Sequence, residues 1–227
     1  MWHNTVILVC YKGQEIYRRV KLAMKDEHET RKRLQESARI EFLEKGFMKA
    51  SLRNICKNAG VTTGALYFFF KDKNDLFASL VEEPLQKVIN IMQEHYQSEK
   101  NEMDTESILH GNSSKDLECA NQILHVMYAY REEFLLLITK AQGSEFEQVF
   151  DKIVVLGEQH YRTLFDAAAK YLKKKPMPDV TVHYLAHSQT EVFTYLITHV
   201  ETEEEALKNM EQMVLYMLGG WRALLGI

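Results

Sequence analysis

The chain has 227 residues, 46% hydrophobic and 26% charged, enough to bury one large core or two modest ones. Three scattered cysteines, Cys10, Cys56 and Cys119, make no disulfide framework and fit a reducing cytoplasm. No apolar run approaches the roughly 18 residues of a membrane span. With only 3 Pro and 10 Gly, an all-β fold is disfavoured and long helices are easy. The net charge of −4 is split unevenly: residues 1–80 hold 15 Lys and Arg against 9 Asp and Glu, and residues 81–227 hold 13 against 23. A basic end on an acidic body suits an anionic partner at that end.

Residues 1–23 carry an apolar, β-prone run from Thr5 to Tyr11, with no charged leader and no small-residue cleavage site. Two readings stay open: an over-extended start, with Met24-Lys25-Asp26 as the natural beginning, or a disordered basic arm. Helix one is expected from Thr30 to Lys45, capped by Thr30 and striped by Leu34, Ala38 and Phe42. Gly46 stops it, with Phe47 folding back in a Schellman ending. Arg31, Lys32 and Arg33 crowd its first turn, where the macrodipole disfavours cations; a phosphate partner or a solvated basic turn explains them equally.

The stretch from Ser51 to Leu76 organises the chain. Ser51 caps a short helix with Leu52, Ile55 and Cys56 at helical spacing, Gly60 supplies the positive φ of a sharp turn, and Thr62 caps a second helix at once. Two short helices about a tight glycine turn make a helix-turn-helix. In the second helix Tyr67, Phe68, Phe69 and Phe70 are consecutive, and four steps of about 100° sweep more arc than one buried face. Leu66 and Phe70, at i,i+4, face the core, so one or more of Tyr67, Phe68 and Phe69 face outward. An outward aromatic cluster beside Thr62, Thr63, Lys71 and Lys73 suits a nucleic-acid surface.

Gly46-Phe47, Ala59 to Thr63, Gly64, Leu66-Tyr67 and Phe70 to Lys73 together resemble the DNA-binding domain of the tetracycline-repressor (TetR) family, over about residues 30–80. The resemblance implies DNA contacts at Ser51, Thr62, Thr63, Gly64, Ala65, Tyr67, Phe68, Phe69, Lys71 and Lys73. Of these, Thr62, Tyr67, Lys71 and Lys73 map to phosphate-contacting positions. The position of Thr63 is often basic in that family and that of Phe69 often His. In the recognition helix no Arg, Lys, Asn or Gln precedes Lys71 for bidentate base reading, so specificity is expected from Thr hydroxyls, thymine-methyl contacts and DNA shape.

Asp72 caps helix four with Asp75 in a box-like arrangement, and Pro84 is expected to kink or split that helix. Residues 98–116 read as a long polar loop. Further helices are expected at about 116–130, 132–141, 145–174, 179–199 and 202–225. His183, His187 and Glu191 line one helix face, but zinc wants four ligands, no Cys accompanies them, and His160 and His199 are distant in sequence. They read as polar residues at a helix–helix interface, and no metal or cofactor is expected. No catalytic constellation is present.

Met and aromatic residues line adaptable pockets and also simply fill cores. The resemblance places an effector cavity in the body, with Met92, Met127, Tyr128, Phe134, Tyr161 and Phe165 as candidate lining. The ending Gly219-Gly220-Trp221-Arg222-Ala223-Leu224-Leu225-Gly226 is similar to the terminal helix of that family, whose last two helices pair between subunits. His187, Glu191, Tyr195, Gly219, Gly220 and Trp221 are the candidate homodimer interface.

The expected fold is all-α: a leader at 1–23, a helix-turn-helix DNA-binding domain at 24–72, and a helical regulatory and dimerisation domain at 73–227. The expected function is transcriptional regulation, by a repressor released from palindromic operator DNA by a small-molecule effector. The alternative is a ligand-independent DNA-binding protein of the same fold regulated by a protein partner. No membrane association is expected.

Overall fold

The computed structural model describes residues 2–101 and 113–227, with backbone only for residues 2–20, 22–24 and 113. The described residues form helices and no strand: α1 (Trp2–Lys49), α2 (Leu52–Ala59), α3 (Thr63–Phe69), α4 (Lys73–Asn101), α5 (Ser113–Ala129), α6 (Arg131–Thr139), α7 (Val149–Leu172), α8 (Asp179–His199) and α9 (Glu203–Leu225). The fold is all-α, as expected from composition and periodicity. Residues 102–112, within the expected polar loop, lie outside the described residues.

Helix one starts earlier than expected. Thr30 does not cap it, because its hydroxyl donates back to the Asp26 carbonyl at 2.7 Å in mid-helix. No proline precedes Pro84, and the backbone is helical from Trp2, through the β-prone run and the segment read as an arm or leader. At the other end Gly46 does break helical geometry, with φ 74°. No Schellman ending forms there: the Phe47 N–H donates to the carbonyl of Lys140, beyond α6, at 2.9 Å. The Schellman pair closes α2 instead, with Gly60 N–H on Lys57 and Val61 N–H on Cys56.

The helix-turn-helix is set by its caps. The Ser51 hydroxyl accepts from Asn54 N–H, the Thr62 hydroxyl accepts from Ala65 N–H, and Gly60 holds φ 66°. Two buried polar side chains of α1 fix α2 in place. The Ser37 hydroxyl donates to the Ile55 carbonyl, and Glu41 accepts from Ser51 N–H and the Asn54 amide. Leu34, Ala38 and Phe42 meet Ile55, Ala59, Leu66 and Phe70 in one core.

That core does not end at the helix-turn-helix. Leu76 and Phe77 join it at the start of α4, and Val81, Leu85, Val88 and Met92 carry it on to Met127, Phe134 and Ile197. Helix α4 stays continuous through Pro84, which is buried, so the expected split does not occur. Asp72 and Asp75 hold its start: Asp72 accepts from Asp75 N–H, and Asp75 accepts from Lys71 N–H, one residue before the cap. Helix α6 packs on both α1 and α4, and Arg39 of α1 pairs with Glu132 and Glu133 of α6. Helix α7 pairs with α8 and α5 with α9, each around a smaller core.

Candidate functional site

Helix α3 presents one outward face. Thr62, Thr63, Gly64, Tyr67, Phe68 and Lys71 are all exposed, with Tyr67 at 55% and Phe68 at 70%, while Leu66 is at 0% and Phe70 at 1%. The aromatic run therefore divides as its arc requires. Beside this face the Arg31 guanidinium lies 5.1 Å from the Phe70 ring centroid, and Lys32 and Arg33 are exposed. The basic turn of α1 and the end of α3 thus meet where Arg31 covers Phe70.

Four expected contact residues depart from a free surface position, among them Ala65, which is half-buried. Phe69 is half-buried, edge-on to Phe68 at 4.9 Å and packed against the core. Ser51 is half-buried, and its hydroxyl serves the cap of α2. Lys73 is not a solvated cation. Its Nζ donates to the carbonyls of Met48 and Ala50 at 3.2 and 3.3 Å and sits 4.7 Å from the Phe47 ring centroid. Burial lowers its pKa. It closes the chain end that Gly46 leaves open.

A second site lies in the body. A cavity of about 230 Å³ is lined by α4 to α9. Met92, Met127, Phe134, Tyr161 and Phe165 line it, as the candidate set has it. Tyr128 does not, because its hydroxyl is tied to the carbonyls of Leu196 and Val200. Trp221 lines it too, 4.5 Å edge-on to Tyr161 and 5.0 Å from Phe165. Of the candidate dimer face, it is thus the member turned partly inward.

The other members of that face are open. His187, Glu191 and Tyr195 are exposed, and Gly219 and Gly220 have no neighbour within 4 Å of an added Cβ. Around them stand Val180, Tyr184, Leu215 and Tyr216, at 75, 67, 57 and 80% exposure. His183 bonds Glu158 of α7 at 2.8 Å and its ring lies edge-on to His187, so of the trio on α8 His183 alone makes the expected helix–helix polar contact, and His187 and Glu191 are exposed.

The polar end of the cavity escaped the sequence. It gathers His95, Glu99, Lys115, Asp116 and His160 beside the Cys119 thiol. The His95–Glu99 spacing of four residues was the available signal, but His160 comes from a helix 61 positions further along. Burial works against the charge on His95, but the Asp116 hydrogen bond and the Glu99 charge outweigh it and raise its pKa. Burial likewise opposes ionisation of Glu99, but His160 and His95 outweigh it and lower its pKa. Burial and the charges of Asp116 and Glu99 push the Cys119 thiol up to about 12.

A family model described as "Bacterial regulatory proteins, tetR family" matches residues 34–80. The HTH-type transcriptional repressor BepR of Brucella suis is 45% identical over 53 residues, 23% of this chain and 25% of that protein. The chain thus spans about a quarter of that relative's length. An HTH-type transcriptional regulator of Staphylococcus aureus (strain USA300) is 27% identical over 82% of this chain and 91% of its own. Among solved structures, NalD of Pseudomonas aeruginosa, the secondary repressor of the MexAB-OprM multidrug efflux pump, shares the fold with a TM-score of 0.56 and 16% identity, over 85% of this chain and 97% of that one.

Phe68→Ala is expected to leave the melting temperature within a few degrees and to weaken specific DNA binding about tenfold, measured by fluorescence anisotropy on a duplex selected from a random pool. Phe69→Ala is expected to cost about 1–2 kcal/mol of stability through its packed ring, and Leu66→Ala about 2–5 kcal/mol. Stability losses at Phe68 equal to those at Phe69 would contradict the division of the aromatic run.

Lys71→Ala is expected to reduce the magnitude of the log K against log salt slope by about 0.9. Lys73→Ala is expected to leave that slope unchanged and to cost on the order of 1 kcal/mol in denaturant unfolding. A slope change at Lys73 would return it to the phosphate-contacting set.

Proposed function

The chain belongs to the tetR family of bacterial regulatory proteins, and we propose that it is a dimeric repressor whose hold on a palindromic operator is released by a small apolar effector. In this reading residues 24–72 bind DNA, residues 73–227 carry the effector and dimer faces, and the protein is a regulator, not an enzyme. The observation that carries it is α4. Its first turns stand in the core of the helix-turn-helix through Leu76 and Phe77, and its later turns line the cavity through Val88, Met92 and Tyr96. A ligand that moves one end of a rigid helix moves the other. Helix α6 offers a parallel link: Phe134 lines the cavity, and the Lys140 carbonyl just beyond α6 holds Phe47.

The cavity's own chemistry limits the effector. At about 230 Å³ it lies below the usual range of about 300–1,000 Å³ for ligand pockets, so it suits a slender molecule. Its walls are Met, Phe, Tyr and Trp, with charged groups at one end only. A short acyl or aromatic body with one polar terminus matches that shape. Repression as the sign of regulation is supported by the printed descriptions of BepR and NalD.

The homodimer is supported by the unpartnered apolar face of α8 and α9. Val180, Tyr184, Leu215 and Tyr216 stand out from the protomer around two bare glycines. A two-fold dimer reads two half-sites in opposite orientation, one helical turn of DNA or a multiple apart.

Titration of the protein–DNA complex with a series of medium-chain carboxylic acids and aromatic acids tests the effector. A ligand that quenches Trp221 fluorescence in a Trp2→Phe background is expected to weaken DNA binding at least tenfold. Quenching with unchanged DNA affinity would favour regulation by a protein partner instead.

Tyr216→Glu is expected to turn the dimer into a monomer in sedimentation velocity while leaving the helical circular dichroism unchanged, because the ring is 80% exposed in the protomer. An intact dimer would move the interface away from α9.

A further inference from the structure

Four side chains from three helices converge at the polar end of the cavity. His95 and Glu99 stand one turn apart on α4, Asp116 lies in the first turn of α5, and His160 comes from α7. His95 Nε2 is 3.3 Å from an Asp116 oxygen and 3.5 Å from Glu99 Oε2, and His160 Nε2 is 2.7 Å from the same Glu99 oxygen. Donor atoms of His95, Glu99 and Asp116 all lie within 4.8 Å of one another. The side chains are 7–26% exposed.

We infer that His95, Glu99 and Asp116 form a three-donor binding site for a divalent transition cation of the zinc class, with His160 holding the Glu99 carboxylate from behind and the fourth position left to solvent. Bonds of about 2.0–2.2 Å to nitrogen and oxygen in tetrahedral geometry place neighbouring donors about 3.3–3.5 Å apart. Both separations from His95 already have that value, and the third pair, Glu99 with Asp116, lies within 4.8 Å. An imidazole among the donors favours a transition cation over calcium or magnesium.

The surroundings fit the same ion. Tyr96 stacks on the His160 ring at 3.9 Å and 8°, which fixes the imidazole plane before any ion arrives. Two carboxylates with neutral imidazoles carry two negative charges, and Lys115, the one cation that faces His95 from α5, offsets one of them. A divalent ion therefore still enters a net negative site. A histidine ligand must give up its proton to bind, so metal binding is weakened as pH falls. This site differs from the α8 trio, whose His183 is held by Glu158 on the outer surface.

The test uses the full chain, stripped with a chelator, dialysed and titrated with Co²⁺ alone. The expected result is one equivalent bound with the visible d–d absorption of a tetrahedral site, abolished by competing Zn²⁺ and weakened as pH falls. His95→Gln and Asp116→Asn are expected to weaken affinity tenfold or more, and His183→Gln is expected to leave it unchanged. Circular dichroism checks each fold; if His95→Gln misfolds, Asp116→Asn, the more exposed position, carries the comparison. Absence of a tetrahedral band, or equal binding by a folded Asp116→Asn variant, would leave an ion-pair network alone and overturn the site. DNA is not in this assay, so its outcome is independent of the effector reading.

Discussion

A single apolar core joins the helix-turn-helix to the body, and every other property of the molecule depends on it. Leu34, Ile55 and Leu66 are in the same cluster as Phe134, Leu137 and Ile197, with Phe77, Leu80 and Leu85 of α4 between them. Such a core has no soft plane at which one half turns freely against the other. Interiors packed to crystalline density transmit displacement and do not absorb it. Three polar ties add direction to the apolar contact: Phe47 N–H to the Lys140 carbonyl, Arg39 to Glu132 and Glu133, and Glu145 N–H to the Asn74 side chain. Each links the DNA-facing end to α6 or to the segment just after it, and α6 is also part of the cavity wall.

Local chemistry was readable and long-range chemistry was not. The caps at Ser51, Thr62 and Asp72 and the turn at Gly60 are decided within four residues, and the structure forms all of them. The outward aromatic face was legible for the same reason, since helical arc is fixed by sequence spacing. Phe69 and Lys73 differ because their partners are elsewhere. Phe69 finds core surface, and Lys73 finds the open carbonyls of Met48 and Ala50, more than twenty residues earlier. The start of α1 was missed because Thr30 has the chemistry of a cap but spends it on Asp26.

The polar end of the cavity shows the same limit more strongly. His160 and Glu99 are 61 residues apart, and nothing in either neighbourhood announces the other. Helical spacing favoured the trio on α8, whose pattern is cleaner but of which only His183 is held by another helix. Trp221 was legible as a large apolar residue near the chain end, but its side of the helix was not. The helix direction that exposes Gly219, Gly220 and Tyr216 turns Trp221 onto Tyr161 and Phe165.

The Cys119 thiol, held up to about 12 among the cavity's carboxylates, has a kinetic meaning. Only the thiolate attacks electrophiles or oxidants at an appreciable rate, and at neutral pH this sulfur is almost wholly protonated. A reactive molecule entering the cavity therefore meets an inert wall. The sulfur serves as a small hydrophobe beside its aromatic neighbours. For the effector proposed above, covalent capture by this thiol is disfavoured, so release needs dilution alone.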